Sequence, residues 1–227
     1  MKPKSPFTQP YEKLPRELPI YPLENALLPG GELPLTIDEP NYLAMFLDVL
    51  KTDQLIGMVQ PQENNADSDI YHIGCAGRIR QYRERKDGKL NIMLTGICRY
   101  KIIEELPMKN GYRRVMADWS NFKQDYETEK VAIQKIDFFK ASLRHYFDRH
   151  RMQVDWKVLD ELPIEQVVNN LVLILNLGIH SKQLLLESST VANRLELFSQ
   201  LLEEIPAPIM GTQHEGCLLY TSDAADD

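Results

Sequence analysis

Apolar and polar residues change period along this chain. From Leu18 to Gln60 the sequence LPIYPLENALLPGGELPLTIDEPNYLAMFLDVLKTDQLIGMVQ interrupts short apolar runs with prolines and a Gly-Gly pair. Pro22, Pro29 and Pro34 each fix φ and remove a backbone donor, so Leu18 to Leu23 and Leu33 to Leu35 are predicted as short or edge strands joined by tight turns. A helix is predicted from Asn41 to Lys51, with Asp38 as its cap, Pro40 near its first position, and Leu43, Phe46, Leu47 and Leu50 on one buried face. A third strand, Leu55 to Gln60, precedes a polar loop from Pro61 to Asp69. Tyr71 to Tyr82 and Leu90 to Glu105 read as two long strands around Lys86-Asp87-Gly88, whose D-G step favours a hairpin. Gly74, Gly77 and Gly96 within them predict bulges or sharp coiling, and Tyr112 to Trp119 adds a strand after Asn110-Gly111.

The second half takes a helical period. Ala132, Ile136, Phe139, Leu143 and Phe147 make a stripe on a helix from about Thr128 to Arg149. Pro163 and Gly178 bracket a second helix, Ile164 to Leu177, apolar nearly all round and so predicted to be the buried one. Ser181 to Glu187 is a short helical piece, and Thr190 caps a last helix with Leu195, Phe198, Leu201 and Leu202 on one face. The pattern predicts an α+β chain: a bent, mostly antiparallel sheet with one helix, then a helical half.

Four stretches in order resemble the N-terminal substrate-binding domain of Lon proteases. The first is the L-P-x-x-P-L strand, P-G turn, L-P-L strand, helix and I-G strand of Leu18 to Gly57. The second and third resemble the family's V-G-x-x-A-x-I strand with its D-G turn and its G-x-x-R strand, within YHIGCAGRIRQYRERKDGKLNIMLTGICRYKIIEE from Tyr71 to Glu105, where Ile73 and Gly77 stand at the V and A positions. The fourth is LLLESSTVANRLELFSQLLEE, from Leu184 to Glu204. The resemblance runs from about Leu14 to Ile205. It implies a PUA-like β-barrel followed by a small helical bundle. The expected division is a flexible arm over residues 1–13, a barrel subdomain over 14–120, a helical subdomain over 121–205 and an extension over 206–216.

Residues 217–227, CLLYTSDAADD, have no hydrophobic period and match a translated sequencing adapter, so they are set aside from fold reasoning. The net charge is -7, and without Asp223, Asp226 and Asp227 it is -4. Residues 1–120 hold 16 basic and 16 acidic side chains and residues 121–216 hold 10 and 14, so the acidity lies in the second half. A net-acidic protein repels phosphate backbones on average, which demotes nucleic acid as a partner. Cys75 and Cys98 lack C-x-x-C spacing, and no signal peptide precedes them, as suits a reduced cytoplasmic compartment. Apolar runs such as Leu171 to Leu175 are far short of the roughly 20 residues of a membrane span.

A full Lon protease couples an ATPase to a Ser-Lys peptidase. This sequence contains no G-x-x-x-x-G-K-[ST] phosphate loop and no serine in a peptidase-like motif with a positioned lysine, so no enzyme activity and no cofactor are expected. Pro206 and Pro208 stop the last helix where full-length Lon continues, which favours a free-standing copy of the domain over the N-terminal fragment of a truncated protease. His72, His145, His150, His180 and His214 are scattered without metal-ligand spacing, Asp67-Ser68-Asp69 lacks the closing glutamate of a calcium loop, and no metal is expected. Cys75 and Cys98, one per hairpin strand, read as small buried hydrophobes.

Two surfaces remain as candidates. The resemblance implies a non-catalytic module for unfolded or tagged polypeptides, an adaptor or regulator in protein quality control, with a separate Lon protease as a candidate partner. Its anchors on this reading are Leu27 and Leu28 before the P-G turn, with Tyr82 and Tyr112 near the sheet; against it, Leu27 and Leu28 simply close the barrel. The second surface is the basic hairpin carrying Arg78, Arg80, Arg83 and Arg85. Alternation places Arg78, Arg80 and Tyr82 on one face, where they suit RNA or an acidic peptide, unless the charges only keep a strand edge soluble.

Overall fold

A computed structural model describes residues 8–62 and 69–206, and among these residues the chain forms six strands, six α-helices and two short 3-10 segments. The strands are β1 (Glu17–Pro22), β2 (Glu32–Ile37), β3 (Leu55–Val59), β4 (Ile73–Glu84), β5 (Leu90–Lys109) and β6 (Tyr112–Asp118). They form one sheet in the order β2-β5-β4-β3-β1-β6, and β5 also pairs with β6, so the pairing closes on itself through five strands while β2 stands outside the ring. All pairs are antiparallel except β1 with β3. The prolines of β1 are tolerated because Glu17 to Pro19 face β6 and Ile20 to Pro22 face β3, so neither half needs donors on both sides.

Turns follow their residues. Lys109 pairs with Tyr112 across Asn110-Gly111, both at positive φ, as a two-residue hairpin requires. The first predicted helix shifts slightly: α1 spans Pro40–Leu50 with Pro40 in its first turn, but its cap position is Glu39 and no side chain caps it. Asp38, expected there, instead holds Lys89 at 3.0 Å across to the β4–β5 hairpin. Leu47, expected on the buried face, is 56% exposed, while Met45, Phe46 and Val49 face inward.

The helical half contains α2 (Ile133–Arg149), α3 (Trp156–Glu161), α4 (Ile164–Ile174), α5 (Ile179–Glu187) and α6 (Val191–Glu204). The first of these starts five residues later than expected. Glu129 is drawn away to accept the Val191 and Ala192 N–H groups at the start of α6 (2.6 and 3.2 Å), where Thr190 caps as expected. Gly178 does not close α4, which ends at Ile174; it is the N-cap position of α5. The short α3, capped by the Asp155 carboxylate, was not visible in the pattern because it buries only Leu159. Residues 9–13, expected in a loose arm, are fastened: Gln9 donates to Asp53, and Tyr11 donates to the Trp119 carbonyl at 2.7 Å. Residues 1–7, 63–68 and 207–227, and with them Asp67, Ser68, His214 and the adapter-like tail, lie outside the described residues.

Two apolar clusters fill the interior. One is enclosed by the strands around Leu18, Ile20, Cys98, Tyr100 and Trp119. The other runs from Leu27, Leu28, Met58 and Leu94 of the sheet side into Phe139, Val168, Leu185 and Phe198 of the helices. Cys75 and Cys98 are free, buried and on opposite faces of the sheet, since Ala76 is the residue opposite Cys98. Burial pushes both thiols well above the usual range.

At the junction of the halves, Arg99 of β5 meets Asp125 in the 3-10 segment Ser120–Tyr126. Its side chain is 2% exposed and that of Asp125 5%. The guanidinium donates twice to the carboxylate, with Nη2 at 2.7 Å, and through Nη1 to the carbonyls of Leu186 and Ser188 at 3.1 and 2.6 Å. The carboxylate also accepts the Arg99 backbone N–H. Removing one partner strands the other charge in the interior, so Asp125→Asn is expected to cost about 3–5 kcal/mol in urea unfolding. Replacing Asp125 by Leu and Arg99 by Met together should recover part of that loss, the rest being the unmet carbonyls at the end of α5.

Candidate functional site

Leu27 and Leu28 are both 2% exposed and belong to the core. The chain turns through Leu28-Pro29-Gly30-Gly31, with the Gly31 N–H on the Leu28 carbonyl at 2.9 Å and Gly30 at φ 78°, the turn that proline and glycine at these places favour. Gly30 and Gly31 bond to both backbone groups of Gly96 at 2.8 Å, which brings the loop down onto the strand pair Gly77–Gly96. A methyl at Gly96 would sit 2.1 Å from the Leu28 carbonyl oxygen. From the helical side, Asn169 of α4 donates to the Pro29 carbonyl at 3.2 Å. Leu27 and Leu28 thus plug the space between sheet and helices and offer no side chain to a partner.

Tyr112 is also buried, and its hydroxyl donates to Asp48 of α1 at 2.9 Å. Lys109 and Asn110 converge on the same carboxylate at 3.1 and 3.2 Å, so this cluster ties α1 to the β5–β6 hairpin. The Tyr112 hydrogen bond first, and Lys109 after it, hold the Asp48 carboxyl below the usual range. Of the four expected apolar anchors only Tyr82 is at the surface, 58% exposed, with its ring in a T-shaped contact with Phe46 of α1 at a centroid distance of 5.3 Å.

The basic residues lie on an arm made of β2 and the outer ends of β4 and β5. Alternation fails there. The β4–β5 register shifts between Ile79 and Gln81, so Arg80 is an extra residue. Past it, Tyr82 pairs with Ile92 and shares the face of Ile79 and Leu94, toward α1. Arg78, Gln81 and Arg83, opposite Thr95, Met93 and Asn91, share the outer face. The expected grouping of Arg78, Arg80 and Tyr82 on one face is therefore split by the bulge. A shallow outer groove is lined by Pro34, Thr36, Gln81, Arg83, Asn91 and Met93.

Much of the expected positive charge is already matched. Arg80 pairs with Glu32 of β2, Arg85 with Asp87 at the hairpin turn, and Lys89 with Asp38. Among the described residues Arg83 and Lys86 have no ion-pair partner, so little charge remains to follow a phosphate backbone. The sequence did not point to Phe46 as a neighbour of Tyr82, because the apolar stripe of α1 marks a helix face without saying which of its edges is covered. Among the described residues no group of three or more His, Cys, Asp or Glu side chains is placed to hold a metal ion, and no helix is long and apolar enough to cross a membrane.

Comparison with known proteins places this geometry. The pattern of the family described as ATP-dependent protease La (LON) substrate-binding domain matches residues 17–204. Lon protease 2 of Myxococcus xanthus is 28% identical over 136 residues, covering 58% of this chain and 16% of its own length. The Lon protease of Clostridioides difficile is 24% identical over 213 residues, 87% of this chain and 26% of that protein. The chain thus spans about a quarter or less of these relatives. Among solved structures, a Lon N-terminal domain protein from Xanthomonas campestris superposes with a TM-score of 0.61 at 23% identity, covering 84% of this chain and 99% of that one. An N-terminal domain of Mycobacterium avium complex Lon protease gives the same score at 16% identity, covering 83% and 98%. These structures establish a shared fold.

Two measurements check the site's construction. Gly96→Ala is expected to lose about 1–3 kcal/mol or more by forcing Leu28 away, whereas Gly88→Ala, with open space around it but φ +80°, should lose about 1–2 kcal/mol from backbone strain alone; urea unfolding of both variants separates the two causes. The stability contributed by ionised Asp48 is full above the ordinary carboxyl value of 3.8 and drains away as pH falls through its lowered folded value. The stability gap between the protein and Asp48→Asn should therefore narrow from about pH 5 to about pH 2 in pH-dependent unfolding.

Proposed function

This chain belongs to the substrate-binding domain family of ATP-dependent Lon proteases, and we propose that it acts as a non-catalytic module that engages unfolded or tagged polypeptides for a Lon-type protease. The observation that carries this reading is the three-stranded arm. Strand pairing closes into a ring without β2, and past Arg78 the ends of β4 and β5 run on beside β2 with Tyr82 exposed next to Phe46 of α1. Closing the ring does not require this arm, and a large exposed aromatic next to open strand is suited to holding an unfolded chain. The relatives' names support the kind of partner, a protein substrate of a Lon protease, whether the protease lies in the same chain or another.

The ring is, on this reading, the PUA-like barrel that the resemblance implies, with residues 14–120 as the sheet portion and 121–205 as the helical portion, joined through the Leu27-Leu28 plug. The role is that of an adaptor or regulator in protein quality control. Cytoplasmic residence belongs to the same proposal; the placement of Cys75 and Cys98 on opposite sheet faces, where no bridge between them is needed, supports it.

Binding of a permanently unfolded, reduced and alkylated polypeptide, measured by fluorescence anisotropy and by cross-linking against a folded control protein, tests the function. Preference of about tenfold or more for the unfolded chain is expected. Equal labelling of folded and unfolded proteins would sink the idea.

A further inference from the structure

We propose that the outer edge of β4, from Arg80 to Glu84, receives an extended polypeptide segment as an added strand, and that the segment it selects alternates acidic with apolar residues. This inference rests on the polypeptide-binding reading above and assigns it a place and a chemistry.

The edge is open by construction. The pairing of β3 with β4 stops at Leu55, opposite Arg78, and the Gln54 carbonyl takes the Ile79 N–H at 3.0 Å. Beyond that point β4 continues to Glu84 with β5 on one side and no described strand on the other. The Arg85 N–H donates to the Lys89 carbonyl at 2.8 Å, which fixes the alternation of the ladder. Counting back, Arg83 and Gln81 turn their backbone groups to β5, and Tyr82 and Glu84 turn theirs outward. Residues 80–84 are all exposed. The other border of the arm is a poorer template, because Pro34 of β2 has no N–H and alternates with Leu33 and Leu35 at positions that bond to β5.

The two faces of the arm set the side-chain pattern. A strand laid beside β4 would place every second residue next to Tyr82, on the face turned toward Phe46 of α1, the apolar side. The residues between would lie next to Arg83 on the outer face, which also carries Arg78. Acidic side chains complement that face. The arm's six basic residues, Arg78, Arg80, Arg83, Arg85, Lys86 and Lys89, exceed Glu32, Asp38, Glu84 and Asp87 in a protein of net charge -7. A second copy of the chain would bring like-charged edges together, so self-association is disfavoured and the occupant is a different, acidic segment.

Short fluorescent peptides test this by anisotropy. A Val-Glu alternating peptide should bind, and a Val-Lys peptide should bind at least about tenfold more weakly. N-methylation of the Val amides or of the Glu amides should abolish binding in one case and leave it unchanged in the other, since an added strand pairs alternate amides only; the blocking set reports whether the strand adds antiparallel or parallel. Arg83→Glu should weaken binding about tenfold, as should Tyr82→Pro, which removes an outward donor without breaking a bond to β5. The N-methylated peptides keep the test independent of whether that variant folds. Equal binding of Val-Glu and Val-Lys, blocking by both methylated sets or by neither, or binding of single-stranded RNA in place of peptide would overturn the proposal. If the unfolded polypeptide still binds in those cases, the edge is wrong and the polypeptide-binding reading stands; if no polypeptide binds, both fall.

Discussion

The buried pair of Arg99 and Asp125 is the constraint on which the two halves of the molecule depend. A guanidinium removed from water must satisfy its donors, and here the carboxylate and the two carbonyls at the end of α5 satisfy them together. The Phe122 ring lies 5.0 Å from its centre. Because these partners come from β5, the connecting 3-10 segment and α5, the pair sets where the helices begin relative to the sheet. Arg194 of α6 repeats the device, donating to the Leu185 carbonyl at 2.8 Å. Its burial, with Arg99 close by, draws its pKa down to about 10. Such pairs cost desolvation and return it as a fixed arrangement, in which the Leu27-Leu28 loop is enclosed between sheet and helices.

This accounts for an asymmetry between resemblance and surface. The arginines in the stretches that carry the resemblance, Arg99 in G-x-x-R and Arg194 in Leu184 to Glu204, are buried in the junction. The glycines Gly77 and Gly96 are where the loop meets the strands. What the motifs encode is therefore a junction and a core. The surface proposed to take a polypeptide lies elsewhere, on an arm whose residues are ordinary for a hairpin and which the motifs only frame.

On that arm a single extra residue decides the chemistry. Without the bulge at Arg80, a period of two would place Tyr82 with Arg78 and leave a mixed face. With it, Tyr82 turns to α1 and Arg83 joins Arg78 outside, so one side becomes apolar and the other basic. The ion pairs to Glu32, Asp87 and Asp38 then restrict the free positive charge to a small region.

The order and type of the main elements were legible in the sequence because they rest on local physics: prolines that forbid ladder donors, Asn110-Gly111 at positive φ, Thr190 capping α6, and apolar residues at helical spacing. Cys75 and Cys98 were also legible as small buried residues. The tertiary structure alone decided that Leu27, Leu28 and Tyr112 are interior, because their burial depends on Gly96, α4 and Asp48, far away in the chain. It alone decided that Asp38 serves Lys89 rather than a helix, that Glu129 leaves α2 to hold α6, and that the bulge divides the hairpin's faces. Local preference specifies a turn or a cap from a few neighbours, but the face a residue presents depends on register and on partners that only the folded chain brings together.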